Sequence, residues 1–465
     1  MSNKKLIEHF QSKQKTIEER INAGKAIRKK HSRTGLGEYK TPAKRKDPVS
    51  ILEKQGKSRI QELVPIRYAR MLTSPFAFLR GGAAIMAEDL AATSKDSGLI
   101  VQACGDMHVA NFGIFASAER NLIFGINDFD ETIPGPWEWD LKRLVASIVA
   151  SGRFLGADKT LCEESVRAAV SSYRKRLKQY AFYGNMELWY STIKEKELLA
   201  ALSPSAREGA IRIMNKARER THMQVLGKLT DLVDDKFRLK ENAPFIVRAT
   251  QTEDGKPIKE GISRFLESYF SSLADDRAAL LKRYRITDVA RKIVGVGSVG
   301  TRCWIIFMEG GHEDDPLFIQ IKEAEASVLS PFVAKSAYSN EGKRVVSGQR
   351  LIQGAPDIFL GWGEVVGKNF YVRQLRDMKG GIEFDPEKLK VGNLPQYTSL
   401  CAWALALAHA KSGDAAMLAG YVGNSEELDD AMVKFGFAYA EQNEKDYGAL
   451  AKAQKSGRIQ VAKAE

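Results

Sequence analysis

Cys104-Gly-Asp-Met-His-Val-Ala-Asn-Phe-Gly113 is a run dense in polar residues between apolar segments, and Asn127-Asp-Phe-Asp130 follows shortly after it. Residues 99–104 and 122–127 read as two short strands that enclose the run, a hairpin with polar residues at its ends. Asn111 stands five positions after Asp106, and Asp128 lies just past the second strand. The pattern suits phosphoryl transfer, which needs an Asp near the acceptor hydroxyl and, beside it, oxygen ligands that hold Mg²⁺ on the nucleotide phosphates. The expected roles are Asp106 as base, Asn111, Asp128 and Asp130 as metal ligands, and His108 as a group orienting a carboxylate or backbone atom. The competing reading makes Asp106 and Asn111 turn caps, and Asp128 and Asp130 a helix start or a solvated loop. With no second His or Cys nearby, the run does not suit a transition metal.

A second motif lies far downstream. Gly295-Val-Gly-Ser-Val-Gly300 has the spacing of a dinucleotide-binding turn, but the β-rich Cys303-Trp-Ile-Ile-Phe-Met308 follows where a helix would be needed. A glycine loop between strands instead suits phosphate cover, because backbone N–H groups can approach oxygens that a side chain would block. Gly295, Gly297, Ser298 and Gly300 are the expected contacts. Lys322, on the alternating strand Ile319-Gln-Ile-Lys322, is the expected clamp on the α and β phosphates, with a solvent-facing edge charge as the alternative. Its partner carboxylate is expected at Glu341, with Glu325 second.

The length of 465 residues exceeds what one hydrophobic core usually supports. Residues 47–90 read as helices broken at Pro65 and Pro75, and residues 138 to about 235 and 257–284 as helical by periodicity. From residue 288 the chain turns to strands at 293–296, 303–308 and 317–322, then a helix at 336–353, strands at 363–366 and 369–375, and helices from 394 onward. The formal charge is +13, and residues 1–60 hold 17 Lys and Arg against 6 Asp and Glu. That basic arm could meet an anionic polymer, although it lacks the interleaved aromatics of a single-strand platform and a solvated helix is the simpler account. No stretch approaches the apolar length of a membrane helix, no signal peptide is evident at the amino terminus, and the four cysteines form no CxxC pair, so a cytoplasmic protein is expected.

Through the Gly-Asp-x-His-x-x-Asn loop and the Asp-Phe-Asp that follows, the chain resembles the kinase-like superfamily, particularly its aminoglycoside and choline phosphotransferase branch. It resembles more closely an uncharacterised bacterial family, domain of unknown function two-two-five-two. The matching segments are Arg70-Met-Leu-Thr-Ser-Pro-Phe-Ala-Phe-Leu-Arg-Gly81, the loop itself, Asn127–Thr132, Trp137–Leu144, Val294–Arg302 and Tyr371–Gly380. The resemblance implies an α+β, kinase-like two-lobed fold with a small antiparallel β lobe and a larger helical one. It also implies Mg²⁺ and ATP, or GTP, as cofactors, and Asp140 as the residue that steadies the loop. Because the loop near residue 106 precedes the glycine motif, the order is that of a circular permutation, with the 405–409 helix packing just before the loop in space. His409-Ala-Lys-Ser-Gly-Asp414 would restore the usual order but lacks a following Asp-Phe-Asp. The expected organisation is a basic arm over 1–60, a helical lobe over 61–284, a β-rich nucleotide-binding lobe over 285–378 and C-terminal helices over 379–465. The acceptor, a small molecule or a protein, is open, as are a nucleotide-binding scaffold without transfer and a nucleotidyl transferase.

Overall fold

The computed structural model describes residues 7–8, 10–220, 222–251, 255–293, 295–312, 315–375 and 378–463. Val294, Arg376 and Asp377, which belong to motif segments quoted above, lie outside the described residues, as do residues 1–6 and His9 of the amino terminus. Strands β1 (Ile100–Ala103), β2 (Phe112–Ala116), β3 (Leu122–Ile126) and β4 (Ile133–Pro136) frame the polar run. They do not form the expected hairpin. β1 pairs with β4 and β2 with β3, both antiparallel. The unforeseen strand β2 is the apolar stretch immediately after Asn111. A tight turn joins it to β3: Ser117 N–H donates to Asn121 O at 2.8 Å, and Arg120 takes a left-handed φ of 67°.

The helical reading also overruns. Past β5 (Ile193–Lys194), the chain turns to a hairpin at β6 (Thr230–Val233) and β7 (Lys236–Leu239). Its two turn residues, Asp234 and Asp235, have φ of 49° and 56°, a conformation that Asp tolerates better than most side chains. A six-stranded antiparallel sheet follows, built from β8 (Ile246–Arg248), β9 (Arg285–Lys292), β10 (Cys303–Glu309), β11 (Pro316–Glu323), β12 (Gly361–Val365) and β13 (Lys368–Gln374), in the order β12-β13-β11-β10-β9-β8. Of the strand expected at 293–296, Ile293, Gly295 and Val296 are not in a strand, and Val294 lies outside the described residues. β9 stops at Lys292 and the glycine segment leaves the sheet through a 3₁₀ turn, Val296–Ser298, because glycines offer a strand no side chains to pack.

The helices are α1 (Ile17–Ile27), α2 (Pro48–Gly56), α3 (Val64–Met71), α4 (Pro75–Gly81), α5 (Ala83–Thr93), α6 (Trp137–Phe154), α7 (Lys159–Tyr180), α8 (Asn185–Tyr190), α9 (Glu195–Ala200), α10 (Pro204–Glu219), α11 (His222–Leu229), α12 (Ile258–Phe270), α13 (Asp275–Leu281), α14 (Glu341–Ile352), α15 (Leu394–Ser412), α16 (Ala415–Val422) and α17 (Glu427–Lys455). The largest apolar cluster gathers α6, α7, α15, α16 and α17 around Trp137, Tyr173, Leu405, Tyr421 and Phe435. Two smaller clusters cover the six-stranded sheet. Ile306 and Ile319 pack with Phe265, Tyr269 and Leu281, while Ile305, Phe307 and Phe318 pack with Val225, Leu226 and Leu229. Residues near 222–281 therefore cover the sheet, so the unit expected to begin at residue 285 gathers its covering helices, and β8, from earlier in the chain.

The basic arm is not a free appendage over its described length. A side chain at Gly24 would collide with the Met417 carbonyl, and one at Gly420 with the Ile21 carbonyl, so α1 and α16 meet backbone to backbone. Arg28 and Arg33 donate to the Tyr421 and Val422 carbonyls at 2.8 and 2.9 Å. All four cysteines are buried and unpaired. Among the described residues no helix is long and apolar enough to cross a membrane.

Candidate functional site

Asp140, in the first turn of α6, holds the backbone leading to Asp106. Its carboxylate accepts from the N–H groups of Cys104 at 2.6 Å and Gly105 at 2.9 Å. Gly105 sits at φ 78°, where a side chain would also come 2.6 Å from the Glu131 carbonyl. Behind Asp140 the buried His409 of α15 brings Nε2 to 3.2 Å, and its Nδ1 meets the Tyr173 hydroxyl at 2.7 Å. Val109 is fixed at both ends, its N–H donating to Ser147 Oγ at 3.0 Å and its carbonyl accepting from Tyr397 at 2.7 Å. The loop is thus a rigid mount. From it Asp106 projects, partly exposed, with Oδ1 accepting from Arg143 Nε at 2.7 Å.

Asn111 ties the loop to the second acidic segment. Its amide nitrogen donates to the carbonyls of Asp106 at 3.2 Å and Asp128 at 3.1 Å, which leaves Oδ1 as the side-chain atom able to receive a ligand. Lys322 of β11, 3% exposed, places its ammonium 3.5 Å from Asp128 Oδ2 and pairs with Asp130 as well. Asp130 also accepts from the Tyr371 hydroxyl at 2.6 Å and Ser298 Oγ at 3.3 Å. Burial raises the Asp128 carboxyl, but Lys322 and Arg373 outweigh it and hold the group below the usual carboxylate range. Burial and the neighbouring Asp128 push Asp130 the other way. The Lys322 ammonium, although buried, is held well above its ordinary range by Asp128 and Asp130.

The expected carboxylate partners of Lys322 are therefore displaced. Glu341 pairs with Arg344 on its own helix, whereas Glu325 lines the cleft without an ion pair among the described residues. Arg344, which sequence reasoning missed, donates to the Asp130 and Glu325 carbonyls at 2.9 Å each and buttresses the acidic segment. His108 is almost buried. Its Nε2 lies 3.8 Å from Asp106 Oδ2, its Nδ1 has no hydrogen-bond partner among the described residues, and burial pushes its pKa down to about 4, so the ring is neutral at pH 7.

The glycine segment closes the opposite wall. A Cβ on Gly297 would lie 3.5 Å from the Arg80 carbonyl and 3.9 Å from Asp106 Oδ2, so this turn passes directly over Asp106. Gly295, Gly297 and Ser298 line the cleft, but Gly300, at φ 90°, packs against Arg59 instead. Between these walls lies a cleft of about 680 Å³. Arg80, Arg220, Arg373 and Lys379 also line it; Arg80, Arg373 and Lys379 fall within the matching segments quoted above, which assigned them no role, and Arg220 lies outside them. The signal available for Arg373 and Lys379 was their place in or beside the apolar strand around Tyr371. Burial, with Arg373 nearby, pushes Lys379 down to about 7.

Among the described residues no group of three or more His, Cys, Asp or Glu side chains forms a metal site. Asp128, with its side chain 42% exposed, is the freer donor; Asp130, at 25%, is engaged by Lys322, Tyr371 and Ser298. A family model described as an uncharacterized protein conserved in bacteria (DUF2252) matches residues 59–453. No curated protein and no solved structure matches the chain.

Proposed function

The chain belongs to this family of uncharacterized bacterial proteins, and we propose that its cleft is that of a kinase-like phosphotransferase acting from Mg-ATP, or Mg-GTP, on an acceptor hydroxyl. One observation carries the reading. Asp106, Asn111, Asp128, Lys322 and the Gly297 turn meet in one cleft, although Lys322 lies 194 residues beyond Asp128. A solvated loop or a set of turn caps has no need of that convergence.

In this reading the acceptor oxygen bonds to the γ-phosphorus and the bond from that phosphorus to the β,γ-bridging oxygen breaks, its electron pair leaving on the nucleoside diphosphate. The acceptor proton passes to the Asp106 carboxylate, which Arg143 keeps oriented. Lys322 and Arg373 offer positive charge to the phosphates, and the backbone N–H groups around Gly295 and Gly297 cover them. Asp128 and Asn111 Oδ1 would hold Mg²⁺, with Asp130 positioning Lys322. When bound, Mg²⁺ supplies neutralisation of the phosphate oxygens.

The fold element of the reading is a permuted two-lobed arrangement, with the six-stranded sheet as the small lobe. It is supported where α15 ends against β1: Gln102 N–H donates to Ser412 Oγ at 3.1 Å, so the chain's late helix abuts the strand that introduces Asp106. Calorimetry with ATP and GTP, with and without Mg²⁺, tests the reading. Metal-dependent binding is expected in the wild type and not in Asp128→Ala, and Asp106→Ala is expected to bind but not transfer. No binding by the wild type would sink the proposal. A nucleotide-binding module without transfer is the second reading, favoured by the full engagement of Asp130. It predicts binding with no turnover on any acceptor, whereas pyrophosphate release would indicate nucleotidyl transfer.

A further inference from the structure

Beside the cleft lies a second cavity of about 520 Å³, within the range of ~300–1,000 Å³ typical of small-molecule sites. Phe112, Arg220 and residues 380–382 line both cavities, so the two lie side by side and share a wall. That wall is fixed by backbone pairing, since Ile114 and Gly380 exchange N–H to carbonyl bonds of 2.8 and 2.9 Å. The inner wall is apolar. Phe112 and Phe124 stack with centroids 6.3 Å apart and 10° between their planes, and Ile114, Leu198, Leu202 and Leu400 complete the surface.

The outer wall is cationic. Arg212 and Lys216 of α10 and Lys390 are exposed and form no ion pair among the described residues. The acidic lining residues are Glu208 and Glu383; Glu383 pairs with Lys388 at 2.9 Å and also feels Lys216 and Arg220, so the basic lining residues still outnumber the acidic ones. A cationic acceptor such as an amino alcohol would be repelled here. A highly charged polymer would find too little room and too apolar a floor.

We propose that this cavity is the acceptor site and that the acceptor is an amphiphilic hydroxy acid, an inference that rests on the phosphotransferase reading for the word acceptor. Its apolar, planar body lies on Phe112 and Phe124, and its carboxylate meets Arg212 and Lys216. Its hydroxyl reaches the Asp106 cleft past Arg220, gaining the phosphoryl group and losing its proton to Asp106.

The full-length protein is titrated with two fluorescent probes of one ring system, the anionic anilinonaphthalene sulfonate and the neutral phenylnaphthylamine. The wild type is expected to bind both. Ala210→Trp, on the α10 wall, is expected to weaken both about tenfold by filling the space. The Arg212→Glu/Lys216→Glu variant, altered only at exposed positions, is expected to weaken the sulfonate about tenfold and leave the neutral probe bound as before. If Ala210→Trp does not fold, Ser205→Trp at the exposed edge of the same wall takes its place. Sulfonate binding that is indifferent to both variants, or equal loss of both probes on charge reversal, overturns the site. With Mg-ATP, turnover raised by hydroxy aryl acids but not by amino alcohols supports the acceptor class, and the reverse overturns it. If the wild type binds no nucleotide while the probes follow the variants, the phosphotransferase reading fails and the amphiphilic-acid cavity stands.

Discussion

Lys322 Nζ lies 3.5 Å from Asp128 Oδ2 and also pairs with Asp130, so a 3% exposed ammonium is shared by two carboxylates from the far side of the cleft. An ammonium buried this deeply is tolerated only because the carboxylates compensate its lost hydration. Lys322→Met is expected to destabilise the fold by about 2 kcal/mol, below the ~3–5 of a fully buried pair, because the Asp128 side chain is 42% exposed. Urea unfolding measures the change. An unchanged midpoint and slope would show that the trio does not brace the cleft. Nucleotide affinity, measured separately, is expected to fall in the same variant.

Asp140→Asn tests the mount of the Asp106 loop. An Asn side chain has one oxygen where Asp140 has two, and these serve Cys104 N–H, Gly105 N–H and His409. At least one buried donor loses its acceptor, at a cost of about 1–3 kcal/mol. Faster amide exchange at Cys104 and Gly105 is expected, beyond that of the loop as a whole. Unchanged exchange at both positions would remove Asp140 from this role.

The residues that carry the candidate chemistry were legible because their pattern is local. Asp106 and Asn111 fall within one polar run, Asp128 follows the apolar strand after it, and the glycine spacing is visible by inspection. The pairing of strands was not. Phe112–Ala116 begins inside the quoted motif, so its strand character was masked, and the register of β1 with β4 depends on a contact across an intervening hairpin. Glu341 was the wrong carboxylate for Lys322 because a helix neighbour, Arg344, captures it at i,i+3, a competition that spacing alone could have raised. The Asp234-Asp235 turn was missed because helical periodicity continued into it. The sequence reading gave Arg143 and Arg344 no role, and their burial is what reveals them as struts.

Stability is expected to depend on pH through Glu138. Burial pushes its carboxyl up to about 7, although Ser97 N–H donates to Oε1 at 2.7 Å, and Oε2 has no hydrogen-bond partner among the described residues. The folded state therefore keeps a proton that the unfolded chain releases near the ordinary Glu value of about 4.3. The contribution is fully present below that value and is lost as pH rises through about 7, up to ~3 kcal/mol. Glu138→Gln, which keeps the shape without the charge, is expected to flatten the decline of unfolding free energy between pH 5 and pH 8. An identical pH profile in the two proteins would show that the group ionises without penalty.

Arg45 tests whether the basic arm belongs to the folded body. Its guanidinium bonds to both oxygens of Asp89 at 2.6 and 2.7 Å and to Asp446 at 2.7 Å, and the Tyr439 hydroxyl also donates to Asp89 at 2.9 Å. The side chain is 11% exposed and its carboxylates 2% and 5%, so removing the arginine strands two buried negative charges. Arg45→Ala is expected to cost about 3–5 kcal/mol at neutral pH. Adding Asp446→Asn should return part of that loss, since one of the stranded charges disappears with it. Deleting residues 1–46 removes the arginine together with the α1 contact on α16, and should lower the thermal midpoint at least as far as Arg45→Ala does. A solvated appendage would leave the midpoint unchanged on deletion, and its charge would then be available to an anionic polymer, with binding that falls steeply as salt rises. Melting curves of the two variants against the wild type, at one salt concentration, separate an arm that is part of the fold from one that is not.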